Sequence, residues 1–177
     1  MGKSKSTRRI SLIVVCCCSG LLLAACNSKE PEIQLEVHVS PISPNEFNKL
    51  ELGDRIINPT IEDFRQLTFR FHMEHSNAID HRTIRMFDEW SNTLYSIGGQ
   101  HRDWGSTSSS QDNENENFAK YTHDVVFYSR DVSEEELKNA FADATIYISW
   151  SDSQKHFQER TYSIGENLTF EQETKQK

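Results

Sequence analysis

Leu67-Thr68-Phe69-Arg70-Phe71-His72-Met73-Glu74 alternates apolar and polar side chains without a break. In an extended chain successive side chains point to opposite faces. Leu67, Phe69, Phe71 and Met73 therefore share one side, and Thr68, Arg70, His72 and Glu74 share the other. A period of two with one greasy face is the mark of a half-buried strand. This stretch sets the expectation of a β fold.

The same pattern recurs on either side. Ile33 to Ser40 alternates just as cleanly and stops at Pro41 and Pro44. The run from there to Arg65 is less regular, with Leu50-Glu51-Leu52 as a short strand and Thr60 to Phe64 as a helical turn after Pro59. C-terminal to the opening stretch, Ser76-Asn77 reads as a turn. Arg82 to Phe87 reads as a third strand and Thr93 to Ile97 as a possible fourth, with Gly98-Gly99 turning the chain after it.

Residues 105–117 are Gly-Ser-Thr-Ser-Ser-Ser-Gln-Asp-Asn-Glu-Asn-Glu-Asn, which offer a core nothing to bury. They are expected to form a solvated, mobile loop. Tyr121 to Tyr128 and Thr145 to Trp150 resume the strand pattern. Between them, Ser133 and Glu136 stand in capping-box register, and Leu137, Ala140 and Phe141 share a helical face. One short helix is expected near 133–142. Arg160 to Ile164 and Leu168 to Phe170 read as a last hairpin around Gly165, and residues 171–177 as a frayed tail.

Many short strands, turn signals between them and a single helix favour a mainly β chain over a parallel α/β sheet. The expectation is one antiparallel β-sandwich over residues 33–170, in an immunoglobulin-like or fibronectin-like arrangement. A barrel is the alternative.

The N-terminus has a different character. Lys3, Lys5, Arg8 and Arg9 precede an unbroken apolar and small run from Ile10 to Ala25, and no acidic residue occurs before Glu30. A basic start, an apolar middle and small residues before a junction define an export signal. Crossing a bilayer takes about 20 apolar residues. This run is shorter and polar Asn27-Ser28-Lys29-Glu30 follows at once, so a retained membrane span is the weaker reading. Leu23-Ala24-Ala25-Cys26 resembles the lipobox of bacterial lipoproteins. The resemblance covers only the signal. It implies cleavage of residues 1–25 between Ala25 and Cys26 and a diacylglyceryl thioether on Cys26. Residues 26–32 then form a lipidated cysteine and a short tether, reaching roughly 20 Å when extended. Two acyl chains hold a protein stably where one does not. Cys16, Cys17 and Cys18 would leave with the signal, so the processed body would carry no free thiol or disulfide.

Without residues 1–25 the chain keeps fifteen Lys and Arg against 27 Asp and Glu, a formal charge of −12. Such a body is repelled by an anionic leaflet and by phosphate backbones, which argues against nucleic acid as a partner. Ten Phe, five Tyr and three Trp supply the bulk for a core.

Motifs for chemistry are sparse. His72, His75 and His81 are the closest histidine group, but the odd offset between His72 and His75 sends them to opposite faces of a strand. Neither they nor any HExxH or Cys/His spacing makes a metal site. Asp112-Asn113-Glu114-Asn115-Glu116 alternates carboxylates as a calcium loop does, without the turning glycine or closing glutamate. His101-Arg102-Asp103 has the letters of a kinase catalytic triplet, but Ser108 stands where its asparagine belongs and no glycine-rich phosphate loop occurs. Asn167-Leu168-Thr169 fits a glycosylation sequon, which a bacterial export route makes irrelevant. Trp90, Tyr95, His101 and Trp104, around Gly98-Gly99, are the one candidate binding region, since aromatics beside glycines stack on sugars or peptides.

The resulting expectation is a lipid-anchored protein on the outer face of a cell membrane, without catalytic residues or cofactor. It acts by binding or structural contact with a cell-wall or envelope protein partner. An accessory subunit of a membrane complex, or an envelope hydrolase with dispersed residues, are the alternatives.

Overall fold

The computed structural model describes residues 30–53, 56–113 and 115–171. The expected export signal over residues 1–25, its expected junction at Ala25/Cys26, Cys26 itself and residues 172–177 lie outside the described residues. Among the described residues there are eight strands: β1 (Glu32–Pro41), β2 (Phe64–Glu74), β3 (Ile79–Arg85), β4 (Asp103–Gln111), β5 (Phe118–Tyr128), β6 (Thr145–Asp152), β7 (Phe157–Ser163) and β8 (Leu168–Phe170). Four short helices accompany them: α1 (Pro44–Phe47), α2 (Trp90–Ser96), α3 (Glu134–Ala140) and α4 (Ile164–Asn167). A 3-10 turn at Ile61–Asp63 leads into β2. No helix among the described residues is long and apolar enough to cross a membrane.

The strands form a five-stranded sheet in the order β4-β5-β2-β1-β8 and a three-stranded sheet in the order β3-β6-β7. The register joins like with like. Leu35 faces Phe71 and Val37 faces Phe69 across β1 and β2, while Leu67 faces Val125 and Phe71 faces Tyr121 across β2 and β5. Each greasy face thus continues into the next. The inner faces meet in one cluster that joins Val37, Leu67, Phe69, Phe71 and Met73 to Ile146, Ile148 and Trp150 of the other sheet. Trp90 and Leu94 of α2, together with Leu137 of α3 and Phe141 just after it, close its ends. Burying each such side chain contributes about 1.5–3 kcal/mol. A smaller cluster of Ile42, Phe64 and Tyr128 packs with Trp104 and Phe47.

The chain is therefore mainly β, in two sheets that fit a β-sandwich. The strand order does not single out an immunoglobulin-like or fibronectin-like arrangement. An all-antiparallel sandwich is corrected too, because β8 runs parallel to β1 with Leu168 opposite Val37.

Other expectations need correction. Residues 105–117 are not one loop, since Gly105 to Gln111 belong to β4 and pair with β5 from Val126 to Lys120. Hydroxyl side chains need no burial on an edge strand whose backbone is held by its neighbour. Thr93 to Ile97 is not a strand, because Trp90 and Leu94 sit one helical turn apart and both are buried, which fixes α2. The hairpin around Gly165 is absent. Its second arm crosses to the other sheet as β8, and Gly165 lies in α4, donating its N–H to Phe141 O at 3.0 Å. Leu50 to Leu52 is not a strand, and the third strand starts earlier than Arg82, at Ile79. The helix after Ser133 stands as read. Glu136 N–H donates to Ser133 Oγ at 3.2 Å, and Ser133 N–H donates to the Glu136 carboxylate at 2.9 Å.

Candidate functional site

The alternation of β5 places Ala119, Tyr121, His123, Val125 and Phe127 on the core side of the large sheet. Directly opposite residues on paired strands share a face. Ser110 lies opposite Tyr121, Ser108 opposite His123 and Ser106 opposite Val125, so β4 carries three serines on that same side. They are exposed, as is the rest of β4 from Gly105 onward. The core-side face of the large sheet thus ends in a strip of hydroxyls.

Across from this strip runs the segment Met86-Phe87-Asp88, leading into α2. Trp90 Nε1 donates to Phe87 O at 3.1 Å, which folds the segment tightly onto the helix start. The Trp90 ring stacks on the His123 imidazole at 4.8 Å between centroids with 20° between planes. Phe69 and Phe87 each meet Trp90 at 5.2 Å. The result is an open cleft of about 430 Å³ whose lining includes Phe87, Trp90, Tyr121, His123, Ser108 and Ser110. One wall is aromatic and the other is hydroxylic.

Two titratable side chains of the cleft, His123 and Tyr121, are shifted toward their neutral forms. Burial holds the His123 imidazole below its ordinary range, against weaker pulls from Asp103 and Asp124, so the ring is neutral at pH 7. Its Nε2 is buried and has no hydrogen-bond partner among the described residues. Burial also raises the Tyr121 phenol, helped by the hydrogen bond that its hydroxyl donates to Asp112 at 2.6 Å. Asp88 and Asp103 add negative charge at the side of α2. Asp103 accepts a short hydrogen bond from Ser91 Oγ.

The four aromatic candidates do not form one site. Trp90 is only 6% exposed and belongs to the core, where it backs the cleft. Tyr95 lies on the outer side of the same helix, 55% exposed. His101 and Trp104 do meet, at 5.5 Å between ring centroids. They line a separate hollow of about 360 Å³ with Ile57, Tyr128 and Arg130. That hollow belongs to the smaller cluster, where Trp104 packs edge-on against Phe64 at 5.9 Å.

The histidine group is likewise dispersed. His75 Nε2 accepts from Arg82 at 2.7 Å, His72 lies beside Glu74 and Phe118, and His81 is exposed near Asp80. No three His, Cys, Asp or Glu side chains gather as a metal site among the described residues. Arg102 of the His-Arg-Asp triplet is buried and donates to the carbonyls of Ile97 and Tyr128 at 2.8 and 3.0 Å, which is a structural use.

Sequence reasoning missed His123 and the serines of β4. Hydrophobic periodicity cannot see an alternation of Ser with Thr, because both faces look alike. The signal that was there is a run from Ser106 to Gln111 free of charge, proline and glycine. No family model matches this chain, and no curated protein matches it.

Proposed function

We propose that this chain is an exported lipoprotein, held at the outer face of a bacterial membrane through a lipid on Cys26, whose β domain works by binding. The observation that carries the anchor is Leu23-Ala24-Ala25-Cys26 at the junction between an apolar run and polar Asn27-Ser28-Lys29. The cleft between β4 and the Met86–Trp90 segment supports the binding role. It offers hydroxyls and aromatic edges beside a neutral imidazole whose Nε2 is buried. That donor and acceptor set holds a polar, uncharged group beside an apolar one. The partner on this reading is another molecule of the envelope, a protein or cell-wall fragment, and the processed body's charge of −12 argues against nucleic acid.

Fractionation tests the anchor. The full chain and a Cys26→Ser variant are expressed in a bacterium that processes lipoproteins, and membranes are washed in high salt. Salt strips proteins held by charge and leaves those held by acyl chains. The wild type should stay with the membrane and enter the detergent phase, whereas C26S should not. A C26S protein retained after the wash would overturn the reading.

A further inference from the structure

The two sheets present four edges, β4, β8, β3 and β7, and natural proteins guard exposed edges with charge, proline, bulges or brevity. β8 is three residues long. β3 carries Asp80, Arg82 and Arg85 and has a bulge between Ile79 and His81. β7 carries Glu159 and Arg160. β4 differs from all three. It is nine residues long, and after its early bulge near Gly105 it runs from Ser106 to Gln111 with no charge and no proline. No strand lies on its outer side among the described residues. This edge also borders the cleft.

From that juxtaposition we infer that β4 receives an extended segment of another polypeptide as a sixth strand, with one apolar side chain of that segment entering the cleft. The inference rests on the binding role proposed above and names its partner. Adding a strand satisfies the outward N–H and C=O groups of β4, which supplies affinity without regard to sequence. Every second side chain of the added strand then falls on the core side of the sheet, next to Ser108 and Ser110. There it meets the wall of Met86, Phe87 and Tyr121, and a volume of about 430 Å³ admits an aromatic or long aliphatic group.

A second copy of this chain fits less well. Self-pairing of β4 would offer only its own serines to that wall and leave it unfilled. Charge points the same way, because two copies are both acidic, whereas Asp88 and Asp103 beside the cleft favour a segment with basic ends. The occupant is therefore an uncharged, alternating segment with an apolar centre and flanking Lys or Arg.

The probe is the synthetic peptide Lys-Val-Thr-Phe-Thr-Val-Lys, titrated into the processed full chain in detergent micelles and followed by amide hydrogen exchange. Binding should slow exchange in Ser106–Gln111 and leave β7 and β8 unchanged. Replacing the central Phe by Ser should weaken binding about tenfold or more. A peptide N-methylated on the amides that face β4 should lose binding, and one methylated on the alternate amides should keep it. These controls leave the protein unaltered, so misfolding cannot mimic them.

Equal binding by both methylated forms overturns the proposal. So does protection of β4 by dimerisation alone, or cleft binding by a neutral glycan oligomer and not by the peptide. The anchor is scored separately. A lipidated chain that ignores the peptide refutes this inference and spares the lipoprotein reading, whereas peptide binding by an unlipidated chain does the reverse.

Discussion

Arg82 of β3 donates to Asp112 at the end of β4, with Nη2 2.6 Å from Oδ1, and so joins the small sheet to the β4–β5 turn of the large one. The Arg82 side chain is 8% exposed and also donates to the carbonyls of Glu116, Asn113 and Phe118, at 2.5, 3.0 and 2.8 Å. His75 Nε2 accepts from it while Nδ1 donates to Ser76 O at 3.0 Å, so the network fixes one neutral tautomer of His75. One buried guanidinium thus satisfies a turn that has few apolar contacts of its own. Arg82→Met takes a donor from Asp112, which keeps the Tyr121 hydroxyl, and from three carbonyls, of which Asn113 O keeps the Glu116 N–H. It should cost about 2–4 kcal/mol in chemical denaturation and speed amide exchange in residues 112–118. A cost below about 0.5 kcal/mol would refute this role.

Asp63 and Arg130 form the second joint, with Arg130 Nε donating to Asp63 Oδ1 at 2.8 Å. Asp63 also accepts from Thr60 N–H at 2.7 Å, capping the 3-10 turn. These donors, Arg130 foremost, hold its carboxyl at about 2, below the ordinary 3.8. A depressed carboxylate contributes stability above its unfolded value and loses it as protons bind. Its contribution should therefore be complete above pH 4 and fade as pH falls from about 4 to about 2. Asp63→Asn should cost about 1–2 kcal/mol at pH 7 and flatten that part of the acid unfolding curve. An unchanged curve contradicts the assignment.

Gly165 illustrates what sequence punctuation hides. A Cβ there would lie 2.5 Å from Lys138 O and 2.9 Å from Phe141 C, both backbone atoms of the α3 region. The residue is small because two short helices touch, not because the chain reverses. Gly165→Ala should therefore destabilise by about 1–3 kcal/mol despite improving helix propensity. Gain of stability in thermal unfolding would refute the close approach.

The strands with one buried face were legible, because β1 and β2 carry a strict apolar alternation, and so was α3, because Ser133 and Glu136 cap each other locally. What was hidden depends on partners distant in sequence. β4 earns its strand from pairing with β5, β8 from lying beside β1, and α2 from the packing of Trp90 on Phe69 and His123. The cleft was hidden for the same reason. Its imidazole, serines and aromatic wall come from β5, β4 and the start of α2, and only register places them together.

His123 should make the domain acid-sensitive through its burial. The folded pKa is depressed below the ordinary 6.5, so the unfolded chain binds a proton that the folded chain resists. Stability from this group is therefore full above pH 6.5 and declines as pH falls below it. His123→Gln should show a smaller drop in urea midpoint between pH 7.5 and 5.5 than the wild type. An equal or larger drop would assign the sensitivity elsewhere.

Intact mass spectrometry of the protein purified from its membrane tests the anchor on which the proposed function rests. The account predicts a chain starting at Cys26 and heavier than residues 26–177 by a diacylglyceryl group. A chain that starts elsewhere, or an unmodified Cys26, would contradict it.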